Sequence, residues 1–115
     1  MSERILGEDL LTASLEHRSL PADGIVQGAP TAAVLALGEL SCVGGVEVGV
    51  WEMTIGTARD TEVDEIFVVL EGEGRVDFED GSMLELRPGT AVRLRAGEQT
   101  VWTIHSTLRK LYVAG

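Results

Sequence analysis

Histidine and cysteine are scarce in this chain, and their scarcity removes whole classes of chemistry. Two histidines, His17 and His105, and one cysteine, Cys42, occur in 115 residues. A single cysteine makes no intrachain disulfide and no cysteine zinc cluster. Such usage suits a reducing compartment, so a cytoplasmic location is expected. Cys42 sits in a glycine-rich turn with no adjacent His or Lys to activate it as a nucleophile. Aromatic residues are also few: two Trp, two Phe and one Tyr. Bases are outnumbered, nine Lys and Arg against nineteen Asp and Glu, for a net charge of −10 and a pI near 4.5. A surface this acidic repels nucleic acid and anionic membrane, so neither is expected as a partner. No apolar run approaches the roughly 18–20 residues of a membrane-spanning helix. The opening residues, Met1 to Asp9, lack a basic start followed by an apolar core, so no signal peptide is expected. There is no G-x-S-x-G elbow and no phosphate-binding loop.

What is present is a β pattern. The length fits one domain, and 44% apolar residues suffice for a core. The stretch Glu65-Ile-Phe-Val-Val-Leu-Glu-Gly72 opens on a carboxylate, continues with β-branched and aromatic residues, and stops at glycine. It reads as a strand in a barrel wall with an acid at the mouth. Before it, Val46, Val48 and Val50 alternate with polar or small residues. After it, Val76 and Phe78 share a face, Asp80-Gly81 signals a hairpin, and Leu84 and Leu86 lead to a turn at Pro88-Gly89. Val92 and Leu94 then alternate with polar residues; Thr100, Trp102 and Ile104 fall on one face, and 108–113 forms the last strand. Short strands parted by regular turns, with fourteen glycines to make them, describe an all-β sandwich or barrel. Residues 8–16 are expected to form a short helix, since Leu11 and Leu15 are four apart and Glu8 and Asp9 suit a helix start. The organisation expected is an N-terminal arm over 1–23 and a single domain over 24–115.

Several of these segments, in order, resemble the cupin superfamily. Glu65 followed by six residues and Gly72 is similar to the end of the first cupin motif, G-x5-H-x-H-x3-4-E-x6-G. Gly89, Arg95-Ala96-Gly97 and Thr100 follow the frame of the second, G-x5-P-x-G-x2-H-x3-N. A closer likeness is to type-3 cupins, the group of EutQ-like proteins and (S)-ureidoglycine aminohydrolases. It rests on Gly28 and Pro30, Gly49-Val50-Trp51-Glu52, Asp64-Glu65-Ile66-Phe67, Trp102, and Arg109-Lys110-Leu111-Tyr112. The resemblance implies a jelly-roll β-barrel, or double-stranded β-helix, and a homodimer. It also implies a metal held by three histidines and a glutamate, but here the histidine slots fall near Arg59 and Thr61 and on Thr100. Only Glu65 remains, and one carboxylate does not hold a transition metal. No metal and no cofactor are therefore expected.

The candidate pocket residues are Glu65, Phe67, Thr100, Trp102, Trp51, Lys110 and Tyr112. If Glu65 points inward, Phe67 and Val69 do too, and a carboxylate above apolar residues suits acid–base work or binding of an amine or hydroxyl. The alternative is an ion pair that holds the barrel mouth. Lys110 and Tyr112 share one face of the last strand, and Leu111 and Val113 the other; the pattern leaves open which face looks inward. Trp102 shares a face with Thr100 and walls a pocket or packs in the core; inside, its indole N–H needs a partner. Glu62, Asp64 and Glu65 are read as a solvated acidic edge, and His105 as an edge or loop residue. The function expected first is metal-independent binding of a small polar metabolite. The alternatives are an isomerase, epimerase or ureide-type hydrolase using Glu65, Lys110 and Tyr112, and a structural or partner-binding dimer.

Overall fold

The structure, a computed structural model, describes residues 4–41 and 45–115. The turn expected around Cys42 and Gly44 lies outside the described residues. Nine strands occur among those described: β1 (Arg18–Ser19), β2 (Ile25–Gln27), β3 (Thr31–Leu40), β4 (Val46–Met53), β5 (Gly56–Thr61), β6 (Glu65–Phe78), β7 (Met83–Leu86), β8 (Ala91–Leu94) and β9 (Gln99–Ala114). Every pairing between them is antiparallel.

The architecture follows from the two long strands. β6 pairs with β9 along its whole length, Glu65 opposite Ala114 and Phe78 opposite Thr100. The register shifts between Val69 and Gly74, and such irregularities bend and twist a ribbon. Gly72 makes the bend possible. Its φ is +87°, and a Cβ there would run into the carbonyl oxygen of Thr107 on the facing strand. Sequence alone suggested that the strand stops at Gly72; the glycine instead serves a bend inside one continuous strand. Beyond the bend the neighbours change. β4 takes residues 108–114 of β9 and β5 takes 99–104. β8 pairs with 65–68 of β6 and β7 with 74–77. One sheet thus folds over into two facing halves, with Phe67, Val69, Val76, Leu86, Leu94, Trp102, Ile104 and Leu108 buried between them.

Two expectations are corrected here. The first is the jelly-roll β-barrel. β1 and β2 end the sheet without pairing to each other, so the fold is a curled half-barrel. The second is the N-terminal helix. Residues 10–12 make a single turn in which the N–H groups of Thr12 and Ala13 both donate to the Asp9 carbonyl, and Asp9 has φ +54°. The carbonyl of Leu10, which a helix over 8–16 would pair with the Ser14 N–H, accepts instead from Arg109 Nη1 (2.8 Å), and that of Ala13 accepts from Arg109 Nη2 (2.6 Å). The only helical piece described is the 3-10 turn Ala22–Gly24.

Arg109 therefore straps the arm to the convex face of the sheet. Its Nε donates to Glu52 Oε2 at 2.7 Å, and Glu52 Oε1 lies 2.6 Å from His17 Nε2. His17 Nδ1 lies 2.8 Å from the Thr31 hydroxyl. Burial pushes the Glu52 carboxyl up, but the hydrogen bonds and charges of Arg109 and His17 outweigh it, so it titrates below its ordinary 4.5.

Two outcomes follow. Gly72→Ala should lower stability by about 1–3 kcal/mol or more, because the forced φ and the backbone collision add. For a domain of this size that is a fall in Tm on the order of ten degrees by calorimetry, and an unchanged Tm would refute the bend as described. For Glu52, the folded state binds the proton less tightly than the unfolded chain. Its contribution is complete above 4.5 and is lost as pH falls through the lower folded value. The stability difference between wild type and Glu52→Gln, from urea melts, should shrink as the pH falls from about 5. A difference that grows as the pH falls below that point would contradict the ion-pair geometry.

Candidate functional site

Alternation along β9 puts Arg109 on the convex face and Lys110 on the concave one. Lys110 lies opposite Trp51 of β4 on one side and Val69 of β6 on the other, and all three project the same way. The result is an ammonium in an aromatic box. Nζ lies 4.3 Å from the Phe67 ring centroid, 4.6 Å from Trp51 and 4.7 Å from Trp102. The rings are tilted against one another, Trp51 to Trp102 at 5.5 Å and Phe67 to Trp102 at 5.7 Å. Nζ donates to Glu65 Oε2 at 2.7 Å, and both side chains are nearly buried, 6% and 10% exposed. The negative ring faces and the carboxylate all stabilise positive charge at one point.

This pair sits in a pocket of about 340 Å³ on the concave side, walled by Trp51, Met53, Ala58, Trp102 and Tyr112 and reaching Leu20 and Val34 at its edge. Asp60 and Glu62 supply further acid. Glu62 is buried, and its Oε2 accepts from the Thr100 hydroxyl at 2.6 Å and from Trp102 Nε1 at 2.9 Å. The turn at 95–98 holds it there, since Glu62 N–H donates to the Glu98 carbonyl and Gly97 N–H to the Glu62 carbonyl. Asp60 lines the pocket while remaining exposed as a residue; desolvation, and then the charge of Glu62, push its carboxyl up. Tyr112 donates its hydroxyl to Glu47 Oε2, passing over Gly49, where a Cβ would collide with it. Burial, and then the bond to Glu47, push the phenol far above its ordinary value, so it stays protonated.

The sequence-derived candidates thus separate into two groups. Glu65, Trp51, Trp102, Lys110 and Tyr112 line the pocket. Phe67 lies under the Lys110 ammonium and Thr100 behind Trp102, both buried and neither in the lining. Sequence reasoning missed Asp60 and Glu62, passing over the first and placing the second on a solvated edge. The one available signal was the partner that the Trp102 indole needed.

A cupin metal does not fit these residues. The positions that match its ligands hold an exposed Arg59, an exposed Thr61, a Thr100 hydroxyl bonded to Glu62, and a Glu65 bonded to Lys110. Among the described residues no cluster of three or more His, Cys, Asp or Glu could hold an ion.

Removing one partner of a buried pair leaves the other charge desolvated. Lys110→Met should therefore cost about 3–5 kcal/mol, whereas Glu65→Leu with Lys110→Met should recover most of it. Denaturant titration of both variants measures this. A double variant as unstable as the single would mean that Glu65 has another partner in the fold.

Comparison with known proteins follows the same lines. The family model for the EutQ-like cupin domain matches residues 40–112. A solved protein of unknown function from Pseudomonas syringae pv. tomato superposes with a TM-score of 0.78 at 22% identity, over 91% of this chain and 46% of that one. This chain thus spans about half the length of that relative. The EutQ protein of Clostridium difficile gives 0.64 at 21% identity, over 74% of this chain and 68% of its own. A protein of unknown function from Rhizobium leguminosarum gives 0.64 at 27% identity, over 72% and 79%. No curated protein matches the chain. Family model and fold agree over most of the length, and the chain belongs to the EutQ-like cupin domain family.

Proposed function

We propose that this cupin domain binds a small polar metabolite in its concave pocket without a transition metal. One observation carries the reading: a buried Lys110–Glu65 pair lies in the lining of a pocket with tryptophan walls. Ligand sites are typically concave and mostly apolar, with a few fixed polar groups that orient the guest. Here Trp51 and Trp102 offer flat faces, and Lys110, Glu65, Glu62 and Asp60 offer one cation and three acids. Lys110 supplies a fixed positive charge beside Glu65, the one residue that matches a cupin metal ligand.

An enzyme is the second reading, and Tyr112 favours it in one respect. Its hydroxyl reaches the same pocket as Glu65 and Lys110, so three groups able to carry protons converge there, although the bond to Glu47 and burial hold the phenol proton tightly.

Thermal melts test the binding reading. Chelator-treated protein should keep its Tm when Mn²⁺, Fe²⁺, Ni²⁺ or Zn²⁺ is added. A matching guest from a panel of polyols, amino alcohols, hydroxyaldehydes and small amides should raise it. At about 100 times its dissociation constant a guest adds roughly 2.7 kcal/mol, or on the order of ten degrees here. The variant carrying Glu65→Leu and Lys110→Met should lose the rise. A metal-specific shift of that size would overturn the metal-free reading, and a panel with no responder would overturn binding of this ligand class.

A further inference from the structure

The nine basic residues of the chain are eight arginines and one lysine, and the lysine is Lys110. Were the task only to neutralise Glu65 within aromatic rings, arginine would serve: its planar fork pairs with carboxylates in two places and stacks on rings. Lysine adds what arginine lacks, an amine that can give up a proton and form a covalent bond to carbon. The one such amine among the side chains is not on the surface, where lysines ordinarily sit, but in the pocket lining, 2.7 Å from a carboxylate.

We propose that Lys110 captures its ligand as an imine, and that the ligand is a small uncharged hydroxyaldehyde. This rests on the binding function proposed above and names its chemistry. The Lys110 ammonium passes a proton to Glu65 Oε2. The freed lone pair attacks the aldehyde carbon, a C–N bond forms, and a proton moves from nitrogen to the former carbonyl oxygen, giving a carbinolamine. Protonated Glu65 returns its proton to that hydroxyl, the C–O bond breaks, water leaves, and a protonated imine remains. Ammonium and aldehyde become iminium and water, with no oxidant or reductant. The positive charge is conserved, so the rings and carboxylate that stabilise the ammonium stabilise the iminium equally. Glu65 is the proton carrier by position.

The same lining selects the guest. Asp60, Glu62 and Glu65 stand against the one lysine, so an anionic carbonyl compound is repelled. Carboxylates accept hydrogen bonds from a hydroxyl on the carbon next to the aldehyde. The cavity of about 340 Å³ suits a guest of a few carbons.

The test is reductive trapping. Native protein is incubated with glycolaldehyde and cyanoborohydride at neutral pH, then digested and mapped by mass spectrometry. The expected result is a secondary amine at Lys110, formed faster in folded than in urea-unfolded protein, with pyruvate trapped more slowly than glycolaldehyde. Glu65→Gln should slow trapping on the order of 100-fold, the scale of lost acid–base assistance. Lys110→Arg should leave modification only at the α-amino terminus. Modification of wild type confined to that terminus, or at Lys110 no faster than in the unfolded chain, would overturn the imine; faster trapping of pyruvate would overturn the ligand class. Quenching of tryptophan fluorescence by glycolaldehyde without reductant separates the two proposals. Binding without trapping removes the imine and keeps the metabolite site, and neither binding nor trapping removes both for this ligand.

Discussion

The pairing of β6 with β9 carries the rest of the structure. Fourteen residues of one strand and sixteen of the other run side by side, and every remaining strand from β4 to β8 attaches to one of them. The ribbon must also bend sharply to bring its two ends face to face. A regular ladder does not allow that, so register shifts and Gly72 interrupt it where β6 crosses 104–109 of β9. The bend turns one sheet into two facing halves and creates the concave side on which the pocket lies.

Two adjacent cations in β9 hold the opposite faces of this ribbon. Arg109 gathers Glu52 and the arm on the convex side, and Lys110 gathers Glu65 and three rings on the concave side. Buried ion pairs contribute little net stability because desolvation offsets their attraction. Their geometric effect is larger. A slip of one residue would send the forked guanidinium into the aromatic box and the lysine toward the arm, and would strip both of their acids. The same residues that fix register therefore supply the site.

The pocket differs from that of a metal-dependent cupin in what stands at its centre. An ammonium fixed by a carboxylate and ring faces is a weaker centre of charge than a divalent ion, but it belongs to the chain. Around it the acids outnumber the bases, as they do over the whole chain. The aromatic residues are few, yet three of the five pack round one atom. Aromatic area is thus concentrated around the buried charge.

The sequence by itself determined the β class, the hairpin at Asp80-Gly81 and the alternation of Thr100, Trp102 and Ile104, because a strand's side-chain period of two is local. The lack of metal-ligand histidines was equally plain, since it needs only counting. Local rules could not decide whether Gly72 ended a strand or bent one, as positive φ serves both. Nor could they decide which face of 110–113 looks inward, because Lys110 and Tyr112 are amphipathic and Leu111 and Val113 are as apolar as any core residue. Where a helix was expected over 8–16, the Leu10 and Ala13 carbonyls instead meet a non-local partner, Arg109, almost a hundred residues away. Glu62 was hidden in the same way, since its burial depends on Thr100 and Trp102, about forty residues on. Only the tertiary structure decided these points. Each depends on a partner brought from far along the chain, and burial leaves a charged group no partner but the one the fold provides.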